Sequence, residues 1–241
     1  MKKFEFTGET IIWFGRTLHR IRALVRIERF DVEAGELGGW IEREANLSHV
    51  GNAWVGDDAW VYGNAQVGDD AWVYGNARVY DNAWVGDDAR VYGNARVYDD
   101  AQVYDDAQVY GNAQVYDDAR VYGNARVYGN ARVYGNAWVY DDAWVYGNAR
   151  VYDNARVYGN ARVFKMTHYM TVGPMGSRCD FTTFFNNKYG RIMVKCGCFR
   201  GDIHKFLNKV ETTHGDSKHA RTYRAAVQLA LEQIESEAVK E

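Results

Sequence analysis

From Ala53 onward the chain repeats one short pattern: a small apolar residue, a variable residue, valine, an aromatic residue or glycine, and two turn formers, as in AWVGDD, AWVYGN and ARVYGN. Valine returns at every sixth position from Val55 to Val163, nineteen times without interruption. No α-helix has that period. Ala and Val stand two apart, so a short strand turns both to one face and leaves the variable residue and the Tyr outside. The closing pair, GN, DD or DN, supplies a corner. A type II-like turn is expected there, with Asn or Asp in the left-handed region at its third position and Gly relaxing the second. Strand, corner and strand again predict an all-β solenoid whose coils stack by backbone hydrogen bonds around a column of Val and Ala.

The pattern divides the chain into three parts: an N-terminal β cap over 1–46, the repeat over 47–164, and a C-terminal α+β module over 165–241. In the cap, FEF, IIWF and TLHRIRALVRI read as strands, and Ile41 and Leu47 as irregular first rungs. Past Phe164 the expected order is strand THYMTV, strand DFTTFF, strand RIMVKCG and two helices, capped by Asp202 and Asp216. The first helix carries Ile203, Phe206, Leu207 and Val210, and the second Tyr223, Val227, Leu231 and Ile234. Such caps cover the unpaired strands at the ends of the stack.

The hexads resemble the hexapeptide-repeat family. That resemblance implies a left-handed parallel β-helix with about six to seven triangular coils of 18 residues, and it favours a homo-oligomer, a trimer first. The general rule for parallel crossovers gives the other hand, so the handedness rests on the resemblance alone.

Composition adds limits. The chain has 241 residues, 29 Lys and Arg against 32 Asp and Glu, and three cysteines. Three cysteines make no disulfide framework and fit a reducing compartment. The N-terminus has no signal-like apolar stretch and nothing approaches a membrane span, so a cytoplasmic location is expected. The residue before each repeat Val is Arg nine times, Trp six and Gln four, and the next is Tyr fifteen times. Residues 18 apart should stack, Arg78 below Arg96, Arg132 below Arg150 and Trp54 below Trp72, giving ladders that suit subunit or partner contacts. Extended nucleic acid is disfavoured, because sixteen corner Asp against nine Arg leave 51–163 acidic.

Histidine is absent from 50–163, so the repeats offer neither the His base of the family's acyltransferases nor a His-rich zinc site. An acyltransferase-like enzyme remains the third alternative, and no catalytic residue or cofactor is assigned. The tail is more basic, with twelve Lys and Arg against eight acids. In GPMGSRCDFTTFF, Ser177, Arg178, Thr182 and Thr183 suit a phosphate, and in THGDSKHARTYR the residues His214, Lys218, His219 and Tyr223 surround a helix start. Cys196 and Cys198 could join His214 and His219 around zinc, but C-x-C in a strand favours buried free thiols and no metal is assigned; Cys179 has no role. His19 and His168 read as ordinary strand residues.

The runs FDVEAGELGGWIEREANLS, GPMGSRCDFTTFF, KCGCFRGDIHKF and THGDSKHARTYRAA, taken with the hexads, resemble a group of hexapeptide-repeat proteins of phages, prophages and gut bacteria. That resemblance, joined to the tail's anion-binding groups, makes the leading expectation a non-catalytic, oligomeric protein that captures a small phosphorylated or nucleotide-like ligand. In a phage it would serve as a counter-defence signal sponge in the host cytoplasm, or bind a host protein. The alternative is a structural or interaction scaffold using the Arg, Trp and Tyr ladders.

Overall fold

The computed structural model describes residues 2–236. Nineteen two-residue rungs, β4 (Trp54–Val55) to β22 (Arg162–Val163), recur every six residues. Each pairs in parallel with a rung 18 residues away, Arg78 with Arg96, Arg132 with Arg150 and Trp54 with Trp72. The chain is a parallel β-solenoid of about seven coils with three faces. The first face starts at Ile41, paired with Val61, the second at Leu47, paired with Val67, and the third at Val55. Ile41 and Leu47 are therefore true rungs. The repeat Ala and Val are fully buried. Each Val contributes about 1.5–3 kcal/mol by leaving water.

The corners differ from the sequence expectation. The left-handed residue is the first of the closing pair, not the second: Asp57, Asp69 and Asp99, or Gly63, Gly75 and Gly93, all have φ between +49° and +70° with their counterparts around the rod. Ala59 N–H donates to Gly56 C=O at 3.1 Å, so Asp57 occupies the second turn position, and the turn is of the II′ kind. An Asp there can accept the amide one coil on through its carboxylate, as Asp57 does from Gly75 at 2.9 Å and Asp105 from Gly123 at 3.0 Å. The second residue points outward and builds amide ladders, as from Asn94 to Asn112 and Asn112 to Asn130, both at 3.2 Å.

At the N-terminal end, β1 (Phe4–Trp13) and β2 (Arg16–Ala23) form a hairpin that pairs with β3 (Leu37–Ile41), extending the sheet of the first face. The strand expected through TLHRIRALVRI stops at Ala23, and Glu28–Phe30 is a single 3-10 turn. Gly38 and Gly39 explain GGWI. A Cβ on Gly38 would lie 2.6 Å from the Trp54 ring, and one on Gly39 2.5 Å from the Ala59 carbonyl. Trp54, expected outside, is buried beneath this cap.

The C-terminal module holds four strands rather than three, β23 (Tyr169–Met175), β24 (Asp180–Asn186), β25 (Ile192–Cys196) and β26 (Phe199–Asp202), followed by α1 (Ile203–His214) and α2 (Lys218–Gln233). One face of this sheet closes the rod. Arg156 N–H donates to Thr183 Oγ1 at 3.0 Å, Lys188 N–H to Asn160 C=O at 2.9 Å, and Tyr158 O–H to Val194 C=O at 3.1 Å. The other face packs Phe184 and Val194 against Phe206, Val210, Tyr223 and Val227 of the helices. Asp202 caps α1 as expected, accepting from Lys205 N–H at 2.8 Å. Ser217, not Asp216, caps α2, accepting from Ala220 N–H at 3.3 Å, while the Asp216 carboxylate accepts from Arg224 and its backbone carbonyl from Arg221. Leu231 is exposed, and Ile234 is buried just past the helix end. His168 sits in a 3-10 turn, fully buried with Phe164 edge-on at 4.1 Å, whereas His19 lies in β2.

Candidate functional site

A cleft of about 230 Å³ opens in the C-terminal module between three segments. The β23–β24 loop brings Ser177, Arg178 and Asp180; the β25–β26 hairpin brings Cys196, Cys198 and Phe199; α1 brings Phe206, Lys209, Thr213 and His214, with Tyr223 of α2 closing the back. The loop reaches Tyr223 only because residue 176 is glycine: at φ +73°, a Cβ there would stand 1.8 Å from the Tyr223 hydroxyl oxygen. The floor is apolar, with Phe206 and Tyr223 edge to face at 5.5 Å. The rim is basic, and neither Arg178 nor Lys209 makes an ion pair among the described residues. Burial, reinforced by the Cys196 thiol it contacts, pushes the Tyr223 phenol up to about 12. Tyr223 is therefore a neutral hydroxyl at physiological pH.

Of the residues expected to bind, Ser177, Arg178, His214 and Tyr223 come together here. Thr182 and Thr183 do not. Both are buried; Thr183 accepts the last coil's amide and meets Thr171 Oγ1 at 3.3 Å, while Thr182 lies in register beside Cys196 beneath the surface. Thr183 faces the rod and supplies a polar partner for its last coil, whereas Thr182 turns to the helix side of the sheet, its buried hydroxyl without a hydrogen-bond partner among the described residues. Lys218 and His219 also stand apart, exposed on the first turn of α2, with the His219 ring 6.0 Å from that of His214. Among the described residues no group of three or more His, Cys, Asp or Glu is gathered to hold a metal. The C-x-C spacing fails to share a face because Gly197, at φ +54°, and Cys198 form the hairpin turn; Cys198 is exposed and Cys196 half-buried, which corrects the expectation of two buried thiols.

Sequence reasoning missed Lys209 and the cleft role of Phe199 and Phe206. The signal lay in α1, where Phe206, Lys209, Val210 and Thr213 follow the spacing of one helical face. Of the outer ladders, the tyrosine columns form as expected, whereas the Trp72 ring stacks on Phe30 and Tyr74, at 4.7 and 3.9 Å, and Trp54 lies buried below it. Tyr62, Tyr80, Tyr98, Tyr116 and Tyr134 stack face to face at 4.9 Å, and Arg120 and Arg156 lie over Trp138 at 5.2 and 4.1 Å.

The rod, its 18-residue coils and its helical end module define a β-solenoid repeat protein. Its repeats match the YdcK beta solenoid repeat family over 71–87, 89–105, 113–127 and 125–141. No curated protein matches the chain. Among the described residues no helix is long and apolar enough to cross a membrane.

Proposed function

We propose that the protein is a non-catalytic binding protein in which the solenoid is a rigid spacer and the C-terminal cleft captures a small phosphorylated or nucleotide-like molecule. The observation that carries this reading is the convergence of Arg178, Lys209 and His214 on an aromatic floor. Guanidinium and ammonium groups take the phosphate, Ser177 and Tyr223 donate hydrogen bonds, and Phe199 and Phe206 cover the apolar part. In the phage or prophage setting that the chain ends resemble, such capture would remove a nucleotide signal of host defence from the cytoplasm, with several copies acting as one oligomer. Calorimetry with a panel of nucleotides and cyclic nucleotides tests it. Binding is expected for at least one member, weakened about tenfold or more by Arg178→Ala or Lys209→Ala. No heat from any member, or turnover of acetyl-coenzyme A, overturns it.

A scaffold role is favoured by a different observation: the Tyr column of the first face runs along the rod unbroken from Tyr62 to Tyr152, beside Arg78, Arg96, Arg132 and Arg150 with Gln114 between the two pairs. A stable complex captured through Arg96 and Arg132, alongside a silent ligand panel, would select it.

A further inference from the structure

We infer that the tip of the N-terminal hairpin and the first face of the rod form a second binding site, for a planar aromatic molecule bearing an anionic group. A cleft of about 330 Å³ lies between Trp13, Phe14 and Arg16 of the tip and Tyr62, Arg78, Tyr80, Asp81 and Arg96 of the coils. Phe14 has φ +45° and Gly15 φ +76°, so both central residues of the turn are left-handed. A hairpin turn of this kind takes Asn, Asp or Gly at its first central position, and a bulky aromatic there is strained. Phe14 is also 88% exposed, and among the described residues its one ring contact is with Trp13, edge to face at 4.8 Å. It costs stability through both strain and exposure and packs into no core. Strain of that sort persists where a site uses it.

Charge supplies the second half of the argument. Arg78 is held over the rings of Trp13 and Trp60, at 5.0 and 4.4 Å from their centroids, and Arg96 stands in register with it one coil on. Neither makes a salt bridge among the described residues. Like charges directly opposite on a sheet repel, and an anion between them offsets that cost. Arg16 is already paired with Glu42 at 3.0 Å, and of the remaining charged groups lining the cleft the two guanidinium groups of Arg78 and Arg96 outnumber the one carboxylate, Asp81. Tyr62 and Tyr80 stack at 4.9 Å and 2°, which closes the space between their rings. The open aromatic surface belongs to Phe14 and Trp13. A ligand ring therefore packs beneath Phe14 while its anionic group reaches Arg78 and Arg96.

Calorimetry on the full chain with 2-naphthoate and its uncharged counterpart 2-naphthalenemethanol tests the site. The carboxylate is expected to bind about tenfold or more tightly than the alcohol. Phe14→Asn and Arg96→Gln should each weaken it to a similar degree, with Lys209→Ala leaving it unchanged. Phe14→Asn relieves the turn, so its melting temperature should equal or exceed that of the parent, which separates lost binding from lost folding. The proposal fails if 2-naphthoate gives no heat, if the alcohol binds equally, or if only Lys209→Ala abolishes binding, which would place the probe in the C-terminal cleft.

Discussion

Val97 shows what one residue does in this rod. It is fully buried, stacked in register between Val79 and Val115, with no water to relax into. Val97→Ala should cost about 2 kcal/mol in denaturant unfolding, from lost transfer energy and the void left behind. Asp105 shows the corner. It holds φ +55° and accepts the Gly123 amide. Asp105→Ala keeps a Cβ in the left-handed region and loses that acceptor, for about 1–2 kcal/mol; Asp105→Gly loses the bond but not the fit and should cost less. The inward Ala and Val were legible because alternation alone assigns a face. Which corner residue turns left-handed was not, since GN and DD each admit either choice until the coil above fixes the direction of the amides.

At the scale of elements, a two-residue rung has no stability of its own and exists through its neighbours one coil away. Removing 92–109 joins Val91 to Tyr110 and keeps every rung in register, so a folded, shorter rod is expected by circular dichroism and gel filtration. Removing 92–106 breaks the three-face order and should abolish cooperative unfolding. The tyrosine ladders set the alkaline limit. Burial, helped by the next Tyr in each stack, holds Tyr98, Tyr110 and Tyr122 up to about 12. An unfolded Tyr ionises near pH ~10. The folded chain keeps a proton that the unfolded chain releases, so this contribution is complete below that pH and is lost as pH rises through the folded value. Melting temperature should fall steadily from about pH 10 upward, and Tyr110→Phe should reduce the slope. The fourth strand of the end module escaped the sequence because Gly197 reads as a loop signal, and only the hairpin it makes shows that Phe199–Asp202 pairs back on β25.

At the scale of the molecule, the two caps decide where chemistry can occur. Lys3 ties the first strand to the rod, donating from its backbone to His49 at 3.1 Å and from Nζ to Gly51 C=O at 3.3 Å. Burial lowers its ammonium to about 8, with Asp70 opposing. The unfolded chain binds that proton more tightly, so stability rises between about pH 8 and 10 before the tyrosines reverse it. Lys3→Met should raise the melting temperature at pH 7 and flatten that rise, as thermal unfolding at several pH values would reveal.

The hexad by itself determined the solenoid and its buried column, because a strict period leaves each side chain one face to occupy; the stacking of residues 18 apart came with the hexapeptide-repeat resemblance, and the rung pairing bears it out. The runs after the repeat also marked Ser177, Arg178, His214 and Tyr223, whose chemistry is visible without a fold. Only the tertiary structure decided that Thr183 belongs to the rod's closure and Thr182 to the buried side of the sheet, that Lys209 joins the cleft, and that Phe14 shares a cleft with Arg78 and Arg96. Those groups lie on segments distant in sequence, and nothing in a local pattern says which of two polar neighbours a cap will bury to satisfy a free strand end and which it will leave facing water.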